Sequence, residues 1–116
     1  MSKLTIYHKA TCSTCRQAVR LLKESGAPFT AVNYYEHRFT KSQLKALLKK
    51  AGWSPYDILR TKEELYKELN LGTSSLSDDA LIDLMVEHPD LIQRPIVEKD
   101  GKVRLARPAD RIKDLL

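Results

Sequence analysis

The 116-residue sequence predicts an α/β fold built on a mixed four-stranded sheet, and three observations carry that prediction. The β-prone run Leu4-Thr5-Ile6-Tyr7 is followed by an amphipathic stretch and then by a second β-prone run from Phe29, the order of a parallel βαβ unit. The middle of the chain has helical periodicity and helix-start signals. Two short strand patterns near the end flank Asp100-Gly101, a pair that favours a tight antiparallel hairpin.

Each element has its own local reason. After the first strand, Ala18, Leu21 and Leu22 form one helical stripe that ends at Gly26. Pro28 then leads into the strand Phe29-Thr30-Ala31-Val32-Asn33-Tyr34. Thr40 with Gln43 predicts a capping box for a Lys-rich helix, whose Leu44, Leu47 and Leu48 face inward while its lysines form a solvated face. Thr61 with Glu64 predicts a second capping box for a helix reaching Leu69. Gly72-Thr73-Ser74-Ser75 reads as a mobile loop. A further helix starts at Ser77, directs Leu81, Ile82, Leu84 and Met85 to a core, and stops at His88-Pro89. Pro95-Ile96-Val97-Glu98 and Val103-Arg104-Leu105-Ala106-Arg107 form the hairpin, and a short helix starts at Pro108. The order βα, β, helices, ββα is that of a thioredoxin-like (glutaredoxin-like) fold with a helical insertion, and the length suits a single domain over residues 1–116.

The totals limit the function. Hydrophobic residues are 42% and charged residues 30%, and no apolar run approaches the roughly 20 residues of a membrane span. No apolar segment of signal-peptide type precedes the first strand, so a cytoplasmic protein is expected. The formal charge of +5 suggests anionic partners. No aromatic-basic stacking pattern accompanies it, so direct nucleic-acid binding is not expected.

Both cysteines lie in Cys12-Ser13-Thr14-Cys15, where the first strand passes into the first helix. At a helix start, unpaired N–H groups and the positive dipole end favour a thiolate, the nucleophilic form of cysteine. Lys9, His8 and Arg16 are close in sequence and add positive potential. One helical turn separates Cys15 from Cys12, close enough for Cys15 to release an adduct on Cys12 as an internal disulfide. A zinc half-site is the other reading of the pair. Structural zinc takes four ligands and the remaining candidates, His8, His37 and His88, are scattered, so redox chemistry is favoured and no metal site is expected. Pro95, entering a strand near the cysteine, suits a cis peptide after Arg94. Arg60, Arg94 and Arg107 each stand at the end of an element, and their convergence on Cys12 would form an oxyanion clamp.

The stretches Ile6-Tyr7-His8-Lys9, Cys12, Leu59-Arg60, Glu87-His88-Pro89, Arg94-Pro95-Ile96-Val97 and Arg104-Leu105-Ala106-Arg107-Pro108 resemble, in order and spacing, the arsenate reductases coupled to glutathione and glutaredoxin. The resemblance implies that Cys12 is the nucleophile toward arsenate, that His8 helps keep it ionised, and that Arg60, Arg94 and Arg107 bind the oxyanion. It also implies glutathione as co-substrate, no bound cofactor, and glutaredoxin or thioredoxin as the protein reductant. Cys15 departs from the pattern, because the matching place in those enzymes lacks a second cysteine, so an internal disulfide could replace or compete with the glutathione step. Longer relatives continue past the position of Leu116 with a C-terminal extension that helps cover the site. The chain is also similar to the Spx-type redox-sensing regulators, which share the Cys-x-x-Cys and bind RNA polymerase. A general thiol oxidoreductase of the same family is a third reading. Arg107 favours the enzyme, since a regulator has no evident need of a third cation above Cys12.

Overall fold

A computed structural model describes residues 3–71 and 76–116, so the loop expected at Gly72-Thr73-Ser74-Ser75 lies outside the described residues. The chain divides into two compact units, one formed by residues 1–37 with 94–116 and the other by residues 38–93.

The first unit holds the sheet. Strand β1 (Leu4–His8) leads into helix α1 (Ser13–Ser25) and strand β2 (Phe29–Asn33), and strands β3 (Ile96–Lys99) and β4 (Lys102–Leu105) complete the sheet in the order β2-β1-β3-β4. β1 and β2 run parallel with Leu4 opposite Phe29, whereas β3 runs antiparallel to β1 with Ile6 opposite Val97. The mixed thioredoxin-like sheet predicted from the sequence is therefore present. The hairpin turns on Asp100 (φ 53°) and Gly101 (φ 78°), both in the left-handed region that a two-residue turn requires and that glycine enters without steric cost.

Alternation in β1 sends Leu4 and Ile6 into a core with Ala18 and Leu22 of α1, Val97 of β3, and Ala106, Ala109, Ile112 and Leu115 near the C-terminus. Burying each large aliphatic side chain contributes about 1.5–3 kcal/mol. The closing helix runs from Ala109 to Leu115 as a 3₁₀ helix and packs on α1. Arg94-Pro95 is cis, as the sequence suggests, and Arg107-Pro108 is cis as well.

The second unit is helical: α2 (Lys41–Ala51), α3 (Glu64–Glu68) and α4 (Asp78–Glu87), with 3₁₀ turns at Pro55–Ile58 and Pro89–Leu91. The Thr40–Gln43 capping box forms in both directions, with the Gln43 N–H donating to Thr40 Oγ1 at 3.1 Å and the Thr40 N–H to Gln43 Oε1 at 3.0 Å. Ser77 caps α4, and the helix ends at Glu87 because His88 leaves helical geometry (φ −125°, ψ 84°), as a residue before proline is pushed to do. α2 packs against α4, each burying its aliphatic stripe, while Lys41 and Lys45 reach Asp79 and Asp83 across the surface.

One helix start differs from the expectation. The cap of α3 is Glu63 rather than Thr61, and the helix spans five residues without a side-chain cap. The Glu63 carboxylate instead accepts from Arg60 Nε at 3.1 Å, so the residues from Thr61 turn tightly before the helix begins. The Pro55–Ile58 turn has no counterpart in the hydrophobic periodicity. Its signal is the local Ser54-Pro55-Tyr56-Asp57 pattern, in which the Ser54 N–H donates to Asp57 Oδ2 at 2.8 Å and proline occupies the first turn.

Candidate active site

The site grows from the loop between β1 and α1. The Cys12 N–H donates to the Lys9 carbonyl at 3.1 Å, which folds the loop back, and the Cys12 carbonyl then accepts the Arg16 N–H at 3.0 Å as the first helical bond. Cys12 is thereby the N-cap of α1, in extended geometry, and no acidic residue stands in the first turn to oppose a negative charge. Its Sγ accepts the Cys15 N–H at 3.4 Å, the place a capping oxygen would take.

The two cysteines meet different surroundings. Burial pushes the Cys12 thiol up, but hydrogen bonds from the Cys15 thiol and backbone N–H, together with the Arg94 charge and a hydrogen bond from its guanidinium, outweigh it and hold Cys12 below the ordinary thiol value. Cys15 is fully buried, and chiefly for that reason its thiol is pushed up to about 12. At neutral pH one sulfur is poised to be the nucleophile and the other to remain protonated.

Arg94 enters from the segment before β3 with 6% exposure, the one charged or polar residue among the buried described residues. Its Nη1 donates to the Tyr35 hydroxyl at 3.3 Å, and its Cζ lies 5.8 Å from the centre of that ring. Burial disfavours its charge, but Tyr34, Tyr35 and Cys12 together more than offset this, so the guanidinium stays charged. Its Nε is buried with no hydrogen-bond partner. Such an orphaned donor in a charged, buried group is costly unless a ligand satisfies it.

Arg107 reaches the same corner. Its Nη1 donates to the Arg94 carbonyl at 3.0 Å, and the neighbouring Ala106 N–H donates to the Pro95 carbonyl at 2.9 Å. The side chain is otherwise exposed. His8, at the end of β1, is lowered mainly by burial, which favours the neutral imidazole, against smaller raising effects of a hydrogen bond with the Lys9 backbone and of the Glu36 charge. A cavity of about 360 Å³ beside His8 is lined by Ala10, Arg16, Val19, Arg20 and Lys23, three of them cations on one face of α1.

The first unit thus brings together Cys12, Cys15, Arg94 and Arg107, with His8 at the rim of the adjoining cavity. Arg60 belongs to the second unit. There its backbone N–H donates to the Leu91 carbonyl at 2.8 Å next to the Leu59–Ile92 bridge, and its Nε is ion-paired with Glu63. Among the described residues no three histidine, cysteine, aspartate or glutamate side chains gather as a metal ion would need. No helix of the described residues is long and apolar enough to cross a membrane. Sequence reasoning missed Tyr35. The available signal was the Tyr34-Tyr35 pair at the C-terminal end of a strand parallel to the cysteine-bearing one, since the carboxyl ends of parallel strands are where sites assemble.

Known proteins with the same pattern cover nearly the whole chain. The protein from Escherichia coli (strain K12) named uncharacterized protein YfgD is 44% identical over 115 residues, 98% of this chain and 97% of its own length. A protein of the same strain named arsenate reductase is 39% identical over 116 residues, all of this chain and 82% of its own length. The solved structure titled arsenate reductase from Vibrio cholerae superposes with a TM-score of 0.93 at 42% identity, covering 99% of this chain and 98% of that one. The ArsC family pattern matches residues 7–115, a span that includes the cysteine loop and both Arg-Pro corners, and on that match and these relatives the chain belongs to the ArsC family.

Proposed function

We propose that this protein reduces arsenate to arsenite, with Cys12 as nucleophile and with Arg94 and Arg107 as the oxyanion-binding cations. The observation that carries the reading is the pairing of an activated thiol with a buried arginine whose Nε has no partner. A tetrahedral oxyanion bearing negative charge is the ligand such a donor fits. The names of the relatives support arsenate as that oxyanion.

The steps balance as follows. The Cys12 thiolate attacks arsenic, an As–O bond breaks, and the oxygen leaves as water after protonation, giving an S–As(V) adduct held by the arginines. A glutathione thiolate attacks the Cys12 sulfur. The S–As bonding pair passes to arsenic, which falls from As(V) to As(III) and departs as arsenite, while the two thiols become a mixed disulfide. Glutaredoxin or thioredoxin then reduces that disulfide by thiol exchange. The cavity lined by Arg16, Arg20 and Lys23 suits a carboxylate-bearing thiol such as glutathione.

A second route is supported by the side-chain hydrogen bond between the Cys12 and Cys15 thiols. Cys15 can attack the Cys12 sulfur in place of glutathione, forming an internal disulfide. A thiol pushed up to about 12 is almost entirely protonated near neutrality, so the external thiolate is the faster attacker.

The test is arsenate-dependent NADPH consumption with either glutathione, glutathione reductase and glutaredoxin, or thioredoxin and its reductase. Turnover is expected with the first system, and Cys12→Ser should abolish it with the fold intact. Absence of arsenate-dependent turnover in both systems would overturn the proposal. Capture of RNA polymerase would then favour the regulator, and thiol exchange alone a general oxidoreductase.

A further inference from the structure

Tyr35 lies between the two halves of the site in the first unit. Asn33, the last residue of β2, accepts the Tyr35 N–H on its Oδ1 at 3.0 Å, an Asx turn that sets where the ring begins. From there the hydroxyl meets Arg94 Nη1 at 3.3 Å. The face of the same ring carries Lys9 Nζ at 4.5 Å from its centre. Lys9 is the residue whose carbonyl folds the Cys12 loop. One side chain therefore contacts both the arginine acting on the thiolate and the loop holding the thiolate, while Tyr34, 1% exposed, backs its ring at 5.1 Å.

We propose that Tyr35 is a positioning residue: its hydroxyl holds the Arg94 guanidinium, and its ring holds Lys9, so that Arg94 and Cys12 keep a fixed separation. This role rests on the proposed oxyanion chemistry only for its effect on turnover; its effect on Cys12 does not need a substrate. Burial gives it a physical basis. The guanidinium, its Nε orphaned, also hydrogen-bonds Tyr34 and Cys12, and against these the Tyr35 hydroxyl fixes its edge where a cation–π contact alone would leave it free to slide over the ring. The titratable groups facing Cys12 are Cys15 from α1 and Arg94 from the approach to β3; Lys9 faces the Tyr35 ring, and His8 is accompanied by Glu36.

Tyr35→Phe removes the hydroxyl and keeps the ring. In that variant the pH midpoint of Cys12 alkylation should move upward, and kcat/KM for arsenate should fall about tenfold, mainly through KM, the change expected from one net hydrogen bond to a charged group. Asn33→Ala, which frees the Tyr35 backbone, should move the midpoint the same way by less. In an Arg94→Met background, Tyr35→Phe should add no further shift, whereas a tyrosine that merely packs would act equally in both backgrounds. An unchanged midpoint in Tyr35→Phe, or an equal shift with and without Arg94, would overturn the proposal. If the wild type fails to reduce arsenate, the oxyanion reading falls, and the alkylation series still decides the role of Tyr35.

Discussion

The two Arg-Pro corners of the first unit share a dipeptide and a cis bond and place their arginines in opposite surroundings. At the first corner Arg94 is 6% exposed, donates to Tyr35 and acts on Cys12. At the second corner Arg107 is exposed and braces the first by donating to the Arg94 carbonyl. A charge sheltered from water acts strongly on a neighbour, while one in solvent is screened. The comparison teaches that the buried arginine adds its charge to the hydrogen bonds from Cys15 in lowering the thiol, while the exposed one braces the segment that carries the buried one.

The largest effect is expected from breaking the first corner. Arg94→Met keeps the volume and removes the charge, so arsenate turnover should fall by about 10²–10³-fold, the usual loss for one preorganised donor, measured in the coupled NADPH assay. Because the replaced side chain carries an orphaned buried Nε, the melting temperature should fall little or rise, which calorimetry would check. A large loss of stability would mean that the buried charge is structural.

Arg107→Ala should cost about 10²-fold, the lower end of the same range, because solvent competes for its donors. The variant also releases the Arg94 carbonyl, so the alkylation midpoint of Cys12 should rise slightly. Equal activity of Arg107→Ala and wild type would remove the second corner from the site.

The smallest change needs no mutation. Iodoacetamide at neutral pH should label Cys12 alone, with a midpoint below the ordinary thiol value, and Cys15 should stay unlabelled until the fold opens. The stability contributions have opposite signs. The lowered Cys12 contributes stability above its unfolded pKa that is lost as pH falls through its folded one; the raised Cys15 contributes stability below its unfolded pKa that is lost as pH rises toward about 12. Mass spectrometry of the labelled protein and melts against pH would check both.

Much of this was legible in the residues because it is local. Thr40 with Gln43, Ser77, His88-Pro89 and Asp100-Gly101 each act within a few positions of themselves, and each helix boundary or turn falls where they place it. Thr61 shows the limit: a capping pattern is only an offer, and the Arg60–Glu63 ion pair took Glu63 as the start instead. Cys12 could be read from its place between strand and helix. Tyr35 offered only its place at the end of β2, and the contact that gives it a role is with Arg94, 59 positions away in the sequence.

By itself the sequence determined the order of strands and helices, the N-cap position of Cys12, and the family to which the separated motifs belong, since periodicity, capping and motif spacing are written along the chain. Only the tertiary structure decided that Arg94 is buried while Arg107 is exposed, that Cys15 is pushed up to about 12 while Cys12 is held low, and that Tyr35 touches both Arg94 and Lys9. Desolvation and charge proximity depend on what the folded chain brings within a few ångströms, a quantity that neighbouring letters do not contain.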